Sequence, residues 1–310
     1  MEQYVVLLDK ILTEGTQKHD RTKTGTLSIF GYRNEYYLQD GFPLLWLKKT
    51  NFKAILNEFL WMVVHGSTDV GWLNERGHTF WDAWKDDDGT IGKGYGWQFR
   101  RWGEDKETGR HGVDQVQSVI NSLKTDPYSR RHTISLWNVS DLKEMSLPPC
   151  HGIVIQFNPI PLSDWEREEL YQEKFAHFLS EELRTERVKI LDKANIPKFK
   201  LDLQMYQRSV DVLIGLPFNI GFYSIFLQVM AQLTNMVPNK FSWVGGDCHV
   251  YQNHMEAAEE VLNRWYNKPK LPLPTLKINP FVVDINDFKY EDFSLEGYKY
   301  YEHIPIPVAV

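Results

Sequence analysis

The thiol, arginines and amides of this chain occur where ordinary core or surface duty does not account for them. In Leu147-Pro148-Pro149-Cys150-His151 a thiol follows two prolines, which hold the backbone extended and the side chain rigid. Further on, Gln204–Ile220 (QMYQRSVDVLIGLPFNI) places Gln207, Arg208, Ser209, Asp211 and Asn219 inside a largely apolar run. Polar groups in such a run are costly to bury without partners, so several together point to a ligand or a hydrogen-bond network. A nucleophile, an anion clamp and a polar reader together imply covalent chemistry on a phosphorylated small molecule.

Each residue also has a plainer reading when taken alone. Cys150 reads equally as a small core residue. It does not form a protease-like dyad with His151, because neighbours on an extended segment point to opposite faces. Its thiolate would need an arginine, and Arg208 is the candidate. Arginine suits phosphate because its planar fork donates two parallel hydrogen bonds. Arg21, the adjacent Arg130-Arg131 pair and Arg208 beside Ser209 are available for that work, although an arginine pair on a turn also reads as solvated surface. Glu58 has Ile55, Trp61 and Met62 as helical neighbours, so it is either a boundary residue or a carboxyl whose raised pKa suits proton transfer. Asn219 carries both a donor and an acceptor and can read a pyrimidine edge. His249 and Tyr251 alternate on an expected strand and so share a face, where they can reach a sugar hydroxyl. No spacing suggests a zinc site, a P-loop or a dinucleotide-binding glycine fingerprint.

The elements that must position these groups follow from periodicity. Helices are expected over 2–14, from an Asn51 cap to about Val64, over 113–124 and over 222–233. Strands are expected at 27–30, 133–137, 152–157, 200–206 and 246–251, followed by short strands and loops after Pro269. Residues 163–193 are strongly charged and read as a helical excursion between two strands, with a capping-box pattern at Ser163 and Glu166. Its apolar positions are Leu170, Tyr171, Phe175, Phe178, Leu179 and Leu183, a pattern that fits an ordinary surface helix.

Composition narrows the class. At 310 residues the chain suits one large domain, and no Gly/Ser linker divides it. A net charge of −6 argues against a dominant nucleic-acid surface, so an anionic substrate would need local arginines. The two cysteines, Cys150 and Cys248, make no disulfide framework and fit a reducing cytoplasm. The start MEQYVVLLDK lacks the pattern of a signal peptide. No apolar stretch is expected to approach the length of a membrane span.

With these residues in view, the sequence resembles the folate-dependent thymidylate synthases over nearly all its length, the main exception being about 160–199. LPPCH at 147–151, QRSVD at 207–211, GLPFNI at 215–220 and GDCHVY at 246–251 carry the likeness. The resemblance implies an α+β, two-layer fold with a mixed sheet packed back-to-back in a homodimer. It implies that Cys150 attacks C6 of dUMP, and that methylene-tetrahydrofolate supplies the carbon and the hydride for dTMP. Arg21, Arg208, Gln207 and Ser209 would hold the nucleotide, while Arg130 and Arg131 would be given to the partner's site. Asn219 would select uracil, and His249 and Tyr251 would hold the deoxyribose. Glu58, Tyr95, His151 and Asp211 would serve the proton transfers. Trp81, Trp84, Asp211, Ile214, Gly215, Phe218 and Ala309 match folate-facing positions. The resemblance implies no metal, membrane or nucleic-acid requirement.

The pattern departs from the family's at Trp46-Leu47-Lys48, at Gln98-Phe99-Arg100 and at Gly221-Phe222-Tyr223. These departures leave two alternatives. One is a dUMP hydroxymethylase, in which water replaces hydride. The other, of a different class, is a nucleotide-binding regulatory protein without chemistry, which intact Cys150 and Glu58 argue against. A cytosine-specific relative would carry aspartate at Asn219.

Overall fold

In the computed structural model, residues 1–19, 24–105, 107–176 and 186–307 are described. Nine helices among them are α1 (Glu2–Glu14), α2 (Phe52–Phe59), α3 (Gly71–Asn74), α4 (Tyr95–Arg100), α5 (Gln115–Thr125), α6 (Asp164–Phe175), α7 (Arg187–Lys193), α8 (Gly215–Leu233) and α9 (Met255–Asn267). The strands are β1 (Thr16–Lys18), β2 (Thr26–Tyr37), β3 (Thr133–Ile134), β4 (Val154–Pro161), β5 (Phe199–Asp211), β6 (Val237–Tyr251), β7 (Thr275–Ile278) and β8 (Phe293–Glu296). β1 to β6 form one sheet in the order β1-β2-β6-β5-β4-β3, and β7 pairs with β8. Only β5 and β6 run parallel, and α8 supplies the crossover that a parallel pair requires. The expected α+β class with a mixed sheet is therefore observed.

Along β5 burial alternates with the pleat: Leu201, Leu203, Met205 and Gln207 are buried, whereas Gln204 and Arg208 are exposed. The buried side meets α8, whose length is apolar almost all round and which sits in the core among Phe59, Phe99, Phe157 and Phe241. The expectation that no apolar stretch approaches membrane length needs correcting. α8 is long and apolar enough by those two measures, but the fold uses it as a core helix, 83% buried. The other face of the sheet is polar, and Arg33, Gln156, Asn158, Asp202, Gln204, Lys240 and Ser242 border a shallow cavity there of about 240 Å³.

Three other expectations are adjusted. The strand expected at 133–137 stops after Ile134, because the Gln115 side chain takes the Ser135 N–H and the chain leaves the ladder. The core helix starts at Gly215, seven residues before the expected 222. The helix capped by Asn51, whose side chain accepts from the Ala54 N–H, becomes a π-turn over Leu60–Val64 directly after Phe59.

The charged excursion does lie between β4 and β5. Both bonds of its capping box are present, and Arg167 ties α6 to Asp192 of α7 and to the carbonyls of Ile196 and Pro197. Phe178, Leu179 and Leu183 fall outside the described residues.

Candidate active site

Cys150 ends the loop that runs into β4 and stands beside the C-terminal ends of β5 and β6. Its backbone is locked on two sides. The Cys150 N–H donates to Tyr95 Oη at 2.8 Å, and the Cys150 carbonyl accepts from the Arg208 N–H at 2.8 Å. Tyr95 Oη is also 3.4 Å from the thiol sulfur. The thiol keeps some contact with solvent, but close packing raises its pKa above the usual thiol value. The Tyr95 hydroxyl and the Arg208 charge pull the other way without overcoming that burial. The expectation that Arg208 favours the thiolate therefore holds in direction only.

A bend at Cys150 and His151 replaces the extended backbone expected there, and His151 is buried. Its Nδ1 shares a hydrogen bond with Tyr223 Oη at 2.8 Å, and its ring stacks on Tyr95 at 4.6 Å. Burial drives its pKa to about 3, so at neutral pH it is an uncharged imidazole. Gly152 makes this possible: its φ is +69°, and a Cβ there would come within 2.6 Å of Tyr223 Oη.

Glu58 projects from the last turn of α2 into the same chamber. It is buried, and burial raises its pKa to about 7, opposed by the Trp81 Nε1–H, which donates to Oε1 at 2.8 Å. Trp81 in turn meets Trp61, Trp84 and Tyr95 at ring separations of 5.5–5.8 Å. A carboxyl poised near neutrality inside an aromatic wall can both give and take a proton.

Asn219 lies one turn into α8 and is buried. Gln207 Nε2 donates to Asn219 Oδ1 at 2.9 Å, while Gln207 Oε1 accepts from Trp243 Nε1–H at 2.9 Å. The indole can only donate, which fixes the Gln207 amide, and Gln207 then fixes that of Asn219. The Asn219 NH2 is thereby left to donate to a ligand.

The anion side looks different. Arg208 does not sit inside apolar packing, as its sequence neighbours suggest; the pleat of β5 puts it on the exposed face. Its guanidinium turns back to the carbonyls of Pro149 and Pro148, at 3.1 and 3.3 Å, and lies over Trp137. Ser209 is half-buried two residues along from Gln207, whose Nε2 also donates to its carbonyl. Arg130 and Arg131 are exposed and form no ion pair among the described residues. They are not brought to Cys150 within this chain. His249 and Tyr251 share a face, with rings 5.1 Å apart, and His249 Nδ1 meets Asp247 at 3.1 Å.

Asp211 ends β5 and accepts from the Leu213 and Ile214 N–H groups at 2.8 and 3.0 Å, which sets the entry to α8. Ile214, Gly215 and Phe218 follow half-exposed, with Phe80 against Phe218 at 6.3 Å. Trp84, also half-exposed, continues this apolar surface. Arg21 and Ala309 lie outside the described residues. Among the described residues no cluster of His, Cys, Asp or Glu is gathered to hold a metal ion.

Sequence reasoning missed Lys48. It is buried with its pKa pushed down to about 8 by burial, against the opposing pull of Asp211. The signal was a lysine inside the apolar run Pro43-Leu44-Leu45-Trp46-Leu47-Lys48. Trp243 and Tyr223, which orient Gln207 and His151, carried no signal apart from their apolar surroundings. Of the departures, Trp46 stacks on Trp265 and Phe99 meets Phe226, both within the core. Phe222 lies 5.8 Å from the His151 ring. A family model described as thymidylate synthase matches the chain over residues 2–310.

Proposed function

The chain belongs to the thymidylate synthase family, and we propose that it converts dUMP to dTMP by reductive methylation with methylene-tetrahydrofolate. The observation that carries this reading is the chamber itself. Cys150 Sγ lies 3.4 Å from Tyr95 Oη, the Glu58 carboxyl is raised to about 7, and Gln207 leaves the Asn219 amide its donor edge. The folate supplies a one-carbon unit and then a hydride.

Cys150 Sγ bonds to C6 of the pyrimidine, and C5 becomes nucleophilic. After the carbon is attached, the C5 proton leaves through the Glu58 network. The folate leaves with the electrons of its C–N bond and then returns a hydride to the methylene carbon, becoming dihydrofolate, and expulsion of Cys150 from C6 completes dTMP. Asn219 donates from its NH2 to O4 of uracil, and Tyr95 holds the thiol in line. Arg208, with Arg21 and Ser209, meets the phosphate, and His249 with Tyr251 meets the sugar. The folate ring fits against Trp84, Ile214, Gly215 and Phe218. Asp211 offers its polar edge a carboxylate, and the buried ammonium of Lys48 suits the folate's own carboxylates. The closure of Trp81 over Glu58 supports hydride transfer over hydration, because an enclosed wall limits water.

The exposed Arg130 and Arg131 and the polar outer face of the sheet support a homodimer in which these arginines serve the other copy's phosphate. We place the enzyme in the cytoplasm, acting on small molecules with no membrane, nucleic acid or metal required.

The test is incubation with dUMP and methylene-tetrahydrofolate, with both products identified by mass spectrometry. dTMP with dihydrofolate is the expected outcome. Hydroxymethyl-dUMP with tetrahydrofolate would make the protein a hydroxymethylase instead. Binding without turnover would leave it a nucleotide-binding regulator.

A further inference from the structure

His254 is a fully buried histidine that the reaction above does not use. It closes the short turn between β6 and α9, and its two ring nitrogens face two different parts of the molecule. Nε2 is 2.6 Å from the carbonyl oxygen of Pro307, fifty-three residues away near the end of the chain. A carbonyl only accepts, so Nε2 carries the proton. Nδ1 faces Asp211 Oδ2 at 3.6 Å, beyond hydrogen-bond range, and has no hydrogen-bond partner among the described residues. Asp211 is the residue whose other oxygen sets the entry to α8.

The segment leading to Pro307 is fastened along its length. Tyr298 Oη donates to the Leu45 carbonyl at 2.6 Å, and the Tyr301 N–H donates to the Trp46 carbonyl at 2.9 Å. Arg264 Nη1 bridges the carbonyls of Leu47 and Glu302. The indole of Trp46 lies between Trp265 and Tyr301, which gives that departure from the family pattern a use. His254 makes the last of these contacts among the described residues, and it also borders the α8 entry.

We propose that His254 is a positioning residue that sets the C-terminal segment and the folate-facing entry of α8 relative to each other. The proposal rests on the functional reading above for its consequence, but not for its structural content. Loss of the Pro307 bond loosens residues 298–307, and folate binding weakens while nucleotide binding does not.

Two substitutions separate the two contacts. His254→Gln places an amide N–H where Nε2 was and keeps the Pro307 bond. His254→Asn reaches only the Nδ1 position and loses it. Three readouts apply to the full-length protein: hydrogen exchange over 298–307 in the unliganded state, dUMP affinity without folate, and KM for methylene-tetrahydrofolate. One lost hydrogen bond predicts that His254→Asn speeds exchange over 298–307 by about tenfold and raises the folate KM by about tenfold. Its dUMP affinity is expected within about twofold of the parent, and His254→Gln is expected to resemble the parent on all three readouts. Unchanged exchange in His254→Asn overturns the proposal, as does equal loss in both variants. So does faster exchange with an unchanged folate KM in an active enzyme. If the parent protein turns over no dUMP, the functional reading fails, and the exchange measurement alone still decides whether His254 holds the segment.

Discussion

Among the candidate site residues, one set of polar side chains is buried and another is open. Glu58, Tyr95, His151, Gln207 and Asn219 are buried, and each already holds a partner: Trp81, Cys150, Tyr223, Trp243 and Gln207 respectively. Arg208, Arg130 and Arg131 are exposed, and of these only Arg208 spends its donors, on two carbonyls at an exposed edge. A buried polar group left without a partner costs about 1–3 kcal/mol, so folding itself must settle the chamber before any ligand arrives. Surface arginines incur no such penalty and take their working geometry from the anion they meet. The chamber is thus settled by folding, and on the function proposed above the open side takes its order from the ligand's phosphate.

That contrast breaks most sharply at the thiol. Cys150→Ala is expected to abolish turnover, a loss of at least about 10⁴-fold, while dUMP binding stays within about tenfold of the parent. Product formation and dUMP titration on the same preparation check this. A variant that kept turnover would remove the chamber from the mechanism altogether.

Glu58→Gln comes next, and it joins activity to stability. Proton transfer through a positioned carboxyl contributes typically about 10²–10⁴-fold, and a loss of that size is expected in kcat. The folded-state pKa of Glu58 is raised from 4.5 to about 7, so folding favours the protonated form. Between those two values the native protein binds more protons than the unfolded one, and stability contributed by this residue is lost as pH rises through about 7. Gln has no charge to bury, so at pH 8 Glu58→Gln should be the more stable protein by up to about 3 kcal/mol, a gain that disappears near pH 4. Denaturant melts at the two pH values decide it. An equal effect at both would mean that the carboxyl is not held near neutrality.

How much of this was legible in the sequence depended on the range over which each residue finds its partners. The Asn51 cap, the Ser163–Glu166 box and the shared face of His249 and Tyr251 rest on local spacing, and they appear where local spacing puts them, whereas β1 was missed and β2 and β6 run well beyond the stretches expected. The raised pKa of Glu58 was also readable, because its helical neighbours supply most of the burial. The orientation of Asn219 was not, since it depends on Trp243, which reaches Gln207 across thirty-six positions of sequence. Arg208 misled for a related reason. Its neighbours are apolar, but the pleat sends alternate side chains of β5 to opposite faces, and composition does not say which face is covered. His254 gained its meaning only from Asp211 and Pro307, contacts that no local pattern encodes.

A smaller effect is expected at Arg208, on the open side of the comparison. Lysine keeps the charge but not the planar fork, so Arg208→Lys should raise the KM for dUMP by about ten- to a hundredfold. The deficit should grow with salt, because a point charge loses more to screening than a bidentate pair does. Thermal stability should stay within about 0.5 kcal/mol of the parent, as for other exposed positions. A melt as damaged as that of a buried chamber residue would show that Arg208 belongs to the settled set, and would undo the division drawn above.

The smallest effect on activity is expected at Arg167, which supplies a third case: a buried charge in the charged excursion rather than in the chamber. It is 5% exposed, and its guanidinium holds Asp192 at 2.6 Å with the carbonyls of Pro197 and Ile196, so it joins the two halves of the charged excursion. Arg167→Met fills similar volume but strands those carbonyls, at a cost of about 2–3 kcal/mol to local order. Asp192 keeps Lys198 as a partner, which limits the damage. Hydrogen exchange over 164–175 and 187–193 should therefore rise, while kcat/KM for dUMP stays within about twofold. The excursion is inserted between β4 and β5 at the ends away from Cys150, so loosening it leaves the Arg208 and Gln207 end of β5 paired with β6 as before. If kcat/KM instead fell as far as in Arg208→Lys, strain would be passing down β5. Burial of polar groups in this chain would then serve the chamber at a distance as well as within it.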